Sequence, residues 1–177
     1  MLGLSLGSWI GGKGLPYLKE KTKQSAILFY ALAEIVIGLG AFAVPRLFRF
    51  GEKLLLPIGG MDSSEYLLLS ALVLGLSILP WCLAMGVTFP FMMGYVRELK
   101  WRETTSFSFL YLANSLGALF GTVATALFLV ELLGFSNSLM LGAACNFSIA
   151  IICFGLKNSF DSDHAPVEQP VSTNRHR

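Results

Sequence analysis

The chain has 177 residues, 54% of them hydrophobic and 14% charged, and its 13 basic and 11 acidic residues give a formal net charge of +2. A typical globular domain is about 25% charged, so this composition, with a mean hydropathy of +0.66, excludes an ordinary soluble domain. The few Lys and Arg residues are spread over short connections, which also excludes a basic face for nucleic acid.

The uncharged runs are long. Tyr66 to Val96, Thr104 to Val130 and Leu132 to Leu156 contain no Asp, Glu, Lys or Arg over 31, 27 and 25 residues, and Gln24 to Pro45 is interrupted only by Glu34. About 20 apolar residues cross a bilayer. The pattern predicts an all-α integral membrane protein in contact with the lipid bilayer: a bundle of four full transmembrane helices plus an N-terminal partial helix.

In chain order, residues 1–12 are an apolar stub, about 18 Å long if helical, which is too short to span a hydrocarbon core of about 30 Å. A secretory signal peptide is not expected, because Met1 enters apolar sequence without a basic region before it. Gly3, Gly7 and Gly11 recur every four residues and form a smooth face that lets another helix approach closely. A basic loop, Lys13 to Lys23, leads into the first span, residues 25–44, which Pro45 should close. Arg46, Arg49, Glu52 and Lys53 open a polar connection. The second span, residues 66–96, contains Pro80 and Pro90; each removes a backbone hydrogen bond, so kinks or a broken helix are expected there. A charged loop from Arg97 to Glu103 precedes the third span, residues 107–130, where Gly117 and Gly121 make a second smooth face. A tight turn at Glu131 to Ser136, containing Gly134, returns the chain through the fourth span, residues 137–156. The polar tail, residues 157–177, is expected to be disordered.

If the stub and spans alternate across the membrane, one side holds Lys13, Lys19, Lys21, Lys23, Arg97, Lys100, Arg102 and Lys157, and the other holds Arg46, Arg49 and Lys53. The positive-inside rule places the richer side, and with it the C-terminal tail, in the cytoplasm. Cys82, Cys145 and Cys153 lie inside apolar runs without a CxxC spacing or a His partner, so they read as small buried hydrophobes. His164 and His176 fall in the tail. No metal site and no cofactor are expected.

Three polar features inside the spans are candidate site residues. Glu34 sits at the centre of its span, where a charge costs on the order of 3 kcal/mol and must face protein or water. It suits a proton or an amine-bearing substrate, or else a structural carboxyl hydrogen-bonded between helices. Asn114, beside the small-residue face, suits either interhelical bonding or substrate contact, and Asn146 and Ser148 carry the same two readings. Thr88, between Gly86 and Pro90, suits a bent segment lining a cavity, with its hydroxyl rebonding a freed carbonyl, or a simple packing kink.

Four strings occur in order: LGLSLGSWIGGK (Leu2 to Lys13), YALAEIVIGLGAF (Tyr30 to Phe42), LAMGVTFPFM (Leu83 to Met92) and YLANSLGALFGTVATALFLVELLGF (Tyr111 to Phe135). Together they resemble the membrane domain of the bacterial spermidine-synthase-like proteins, in which a major-facilitator-like helical region is fused to an aminopropyltransferase. The resemblance implies a major-facilitator-like fold in a bacterial inner membrane and a transporter-like or substrate-sensing role, with polyamines as the ligand class. It also implies that the family's first helix and its synthase domain are missing here, since the 21 residues after Leu156 hold no glycine-rich cofactor loop. Enzymatic activity is therefore not expected. The alternatives are a non-transporting anchor or assembly subunit, or a truncated fragment of the fused protein. The expected partners are a second copy of the chain or a separate membrane or synthase protein.

Overall fold

The computed structural model describes residues 1–56, 63–99 and 103–163, which are helical almost throughout. Helix α1 spans Leu2–Thr22, α2 Ala26–Leu55, α3 Ser63–Glu98 and α4 Glu103–Ala124; a π-helical turn at Thr125–Leu129 leads into α5, Val130–Asp163. There is no strand among the described residues. Three segments, Ala26–Leu55, Ser64–Glu98 and Phe107–Lys157, are long and apolar enough to cross a membrane. Large apolar side chains such as Leu67, Leu68, Phe109, Phe120 and Ile151 point outward. Water would not tolerate so much exposed apolar surface, but lipid does.

Several expected boundaries move. The N-terminal partial helix does not stop at Gly12; α1 continues through the supposed basic loop to Thr22 and ends where Lys23 adopts a left-handed conformation, φ 54°. Pro45 does not close the first span either. It lies inside α2, where the Arg46 and Arg49 side chains turn back to donate to the Phe42 and Pro45 carbonyls at 2.7 and 3.3 Å. Pro80 and Pro90 lie within one continuous α3, so the expected broken helix is not observed. Lys100 and Arg102, and the tail from His164 onward, lie outside the described residues.

The third apolar segment has 51 residues, about 77 Å if straight at ~1.5 Å per residue. It is not straight, because Gly134 has φ 74° and ψ 167°, a conformation that side-chain-bearing residues rarely adopt. On one rod, Asn114 and Asn146 would stand about 48 Å apart, yet both line the same cleft. The chain therefore reverses at Gly134.

Contacts fix the helix directions. Gly3 meets Cys82, Gly7 meets Leu83 and Gly86, and Leu15 meets Gly94, so α1 runs parallel to α3. Gly40 packs on Trp81 and Gly51 on Val73, so α2 runs antiparallel to α3. Ile27, Ala31, Ala150 and Cys153 form the core shared by α2 and α5, and Gly38 abuts the Phe147 ring. At one end of this bundle Glu98 accepts hydrogen bonds from the Ala26 N–H, at 3.0 Å, and from the Ser25 hydroxyl, and pairs with Lys19 at 2.6 Å. One carboxylate thus caps α2 and joins the ends of α1 and α3 to it.

The two smooth faces differ. A Cβ on Gly7 would fall 2.3 Å from the Leu83 carbonyl oxygen and 2.9 Å from Gly86 Cα, so the two backbones touch without a side chain between them. Gly117 and Gly121 meet nothing within 4 Å, so the packing expected of that face is not made among the described residues. Gly7→Ala is expected to cost about 1–3 kcal/mol through overpacking. Gly12→Ala on the same helix, with open space around it, should be neutral or slightly stabilising. Thermal unfolding in detergent, followed by size exclusion, checks the contrast; equal effects of the two changes would refute the contact.

Candidate functional site

The site is built on the α1–α3 contact. Pro90 has no N–H, so the carbonyl four residues earlier, that of Gly86, lacks its helical donor. The Ser8 hydroxyl of α1 supplies one, donating to Gly86 O at 3.1 Å. Only the close approach at Gly7 and Gly86 brings α1 within reach. Thr88, expected to rebond the freed carbonyl, instead donates to the Met85 carbonyl at 2.7 Å.

Above this contact a cleft of about 720 Å³ opens between the α1–α2–α3–α5 body and helix α4. Its polar lining is Ser8, Glu34, Thr88, Asn114 and Asn146, contributed by all five helices. The three candidate substrate residues Glu34, Thr88 and Asn114, separated by up to 80 positions in sequence, thus share one cavity. Asn146 joins them, whereas the Ser148 hydroxyl is occupied by the Ala144 carbonyl of its own helix at 2.8 Å.

Glu34 is 6% exposed. Tyr30, one turn earlier on α2, hydrogen-bonds its carboxyl group, and no Lys or Arg among the described residues lines the cleft. Asn114 and Asn146 make no hydrogen bond with another described residue, so the interhelical bond that was the alternative for Asn114 is not made among them. Among the described residues, the cleft therefore presents an acid without a counter-cation and two amides whose donors and acceptors are not taken up.

Sequence reasoning missed the aromatic wall. Phe89 and Phe107 meet edge to face at a centroid distance of 5.9 Å, and Phe107 stacks on Tyr111 at 6.2 Å with planes 14° apart. All three line the cleft. The signal was present on α4, where positions 107, 111, 114 and 118 share one helical face. Ser8 was also missed, although an orphaned Gly86 carbonyl, four residues before Pro90, calls for a donor from outside α3.

The cysteines are free: Cys153 is buried and Cys82 half-buried, while Cys145 is exposed and so is not the buried hydrophobe expected of it. No cluster of metal-ligating side chains occurs among the described residues. Comparison with protein-family profiles, curated proteins and solved structures finds no match to the chain.

The Ser8 to Gly86 bond should depend on Pro90. Ser8→Ala is expected to cost about 1 kcal/mol by leaving the carbonyl unpaired. In a Pro90→Ala background the backbone N–H gained at that position can take the carbonyl, and the cost should largely vanish. Additive losses in this double-mutant cycle would show that the two residues are not coupled.

Proposed function

We propose that the protein is a membrane-embedded binding domain, transporter-like or substrate-sensing, whose cleft holds an amine-bearing cation against Glu34. The observation that carries this reading is a buried carboxylate, without a basic partner among the described cleft residues, lining the same cleft as Thr88, Asn114 and Asn146. A cation entering a low-dielectric site loses hydration and needs a counter-charge to offset it. Glu34 supplies that charge, and the two amides supply hydrogen-bond acceptors for an ammonium group. The resemblance of the four strings to the spermidine-synthase-like membrane proteins favours the same class of ligand, of which polyamines are one member, and a major-facilitator-like arrangement of the helices.

The bundle also supports an orientation in a bacterial inner membrane. Lys19, Lys21, Lys23 and Arg97 lie at the end where α1 and α3 finish and α2 starts, and Lys157 closes the apolar part of α5 beyond Cys153. Arg46, Arg49 and Lys53 lie at the other end of α2. With the positive-inside rule, the first end and the C-terminal tail are cytoplasmic.

One observation favours a second reading, a non-transporting anchor or assembly subunit: no described residue packs on the Gly117 and Gly121 face, a surface suited to a helix from another chain. Under that reading, Gly117→Leu with Gly121→Leu shrinks the assembled particle without affecting the monomer fold.

Glu34→Gln keeps the shape and hydrogen bonding of the side chain and removes its charge. It is expected to weaken the binding of cationic probes, labelled spermidine or tetraphenylphosphonium, at least tenfold, about 1.4 kcal/mol, while folded yield stays unchanged. Binding that is equal in wild type and variant would remove Glu34 from the site.

A further inference from the structure

We infer that the cleft selects organic cations carrying a single positive charge on a broad, aromatic body, and disfavours linear polyamines. The inference rests on the reading of the cleft as a cation site and concerns which cation it takes. Its first ground is charge count. Glu34 is the one acidic residue among the described residues that line the cleft, so it can balance one ammonium group. A linear polyamine carries three or four charges at neutral pH. Those beyond the first would meet, among the described lining residues, only neutral amides and hydroxyls, and neutral groups offset a charge removed from water poorly.

The second ground is shape. The cleft measures about 720 Å³, within the range of roughly 300–1,000 Å³ typical of sites for drug-sized ligands and far wider than a single methylene chain. Its two regions differ in chemistry. The acid, the two Asn amides and the Ser8 and Thr88 hydroxyls form the polar part, while Phe89, Phe107 and Tyr111 form an aromatic wall contributed by α3 and α4. Phe107 remains 49% exposed, so ring surface is left for a ligand to cover. Aromatic faces attract both a delocalised cation and the aromatic rings that carry it.

The test compares two probes on the full chain in lipid nanodiscs by equilibrium dialysis: tetraphenylphosphonium, with one charge and four rings, and spermidine, with three charges and no ring. The Glu34-dependent part of binding, taken as wild type minus Glu34→Gln, removes partition into lipid. Tetraphenylphosphonium is expected to bind at least tenfold more tightly than spermidine, and Phe107→Ala and Tyr111→Ala should each weaken it several-fold without affecting folded yield. Spermidine binding as tight or tighter, with Glu34 dependence, would overturn this inference and leave the cation site standing. An absence of Glu34-dependent binding for both probes would overturn the cation site and the inference together. Unchanged tetraphenylphosphonium binding in both aromatic variants would also overturn the inference, since the wall would then contribute nothing.

Discussion

The backbone contact between Gly7 and Gly86 is the constraint on which the rest of the architecture depends. Lipid tails are as apolar as leucine side chains, so helices gain little from hiding apolar surface from one another and must associate through close packing and polar contacts. Here the two glycines remove the side chains that would hold α1 and α3 apart. The resulting approach brings the Ser8 hydroxyl to the carbonyl that Pro90 leaves without a donor. The packing and the polar contact thus require each other: without the glycines Ser8 would not reach, and without Ser8 a carbonyl would remain unpaired in an apolar medium, where water cannot replace the lost bond.

The two ends of this four-helix body are unequal. At the basic end, Glu98 receives the Ser25 hydroxyl, the Ala26 N–H and the Lys19 ammonium, so three helices converge on one side chain. Helix α4 meets the body through the aromatic contact of Phe89 with Phe107, and from Phe107 to Leu133 no residue is buried. Near its far end come the π-helical turn and the left-handed Gly134. A π turn accommodates a surplus residue and shifts the helical faces that follow it, so the residues leading to the reversal are offset from the face that brings Phe107, Tyr111, Asn114 and Ala118 to the cleft.

The membrane class was legible because lipid imposes a length and a charge rule that composition displays directly. The runs beginning at Tyr66, Thr104 and Leu132 needed no knowledge of contacts. Helix ends were less legible, since proline is a weaker stop signal in apolar surroundings than in water: Pro45, Pro80 and Pro90 all sit inside helices, and at Pro90 the freed Gly86 carbonyl is taken by the Ser8 hydroxyl. The glycine spacing identified both smooth faces but could not separate them. Whether a face is filled depends on what lies opposite, and α1 lies against Gly86 and Val87 while the α4 face looks across open space. Glu34, Thr88 and Asn114 stood out as polar residues in apolar runs, and their convergence became visible only once the helices were placed.

Helix α4 explains how a carboxylate can occupy the middle of this bundle. Glu34, hydrogen-bonded by Tyr30 of its own helix, lines a cleft that α4 walls on one side with Phe107, Tyr111, Asn114 and Ala118. By standing off from the body, α4 leaves the cleft open and brings Asn114 into its lining beside Glu34. Ala118 does the complementary work as the small residue through which α4 lines the cleft, leaving a volume that a small molecule can enter. The sparse packing of α4 and the isolated acid are therefore two aspects of one arrangement, in which stability lies in the glycine-tight body and the binding volume is kept by the helix that packs least.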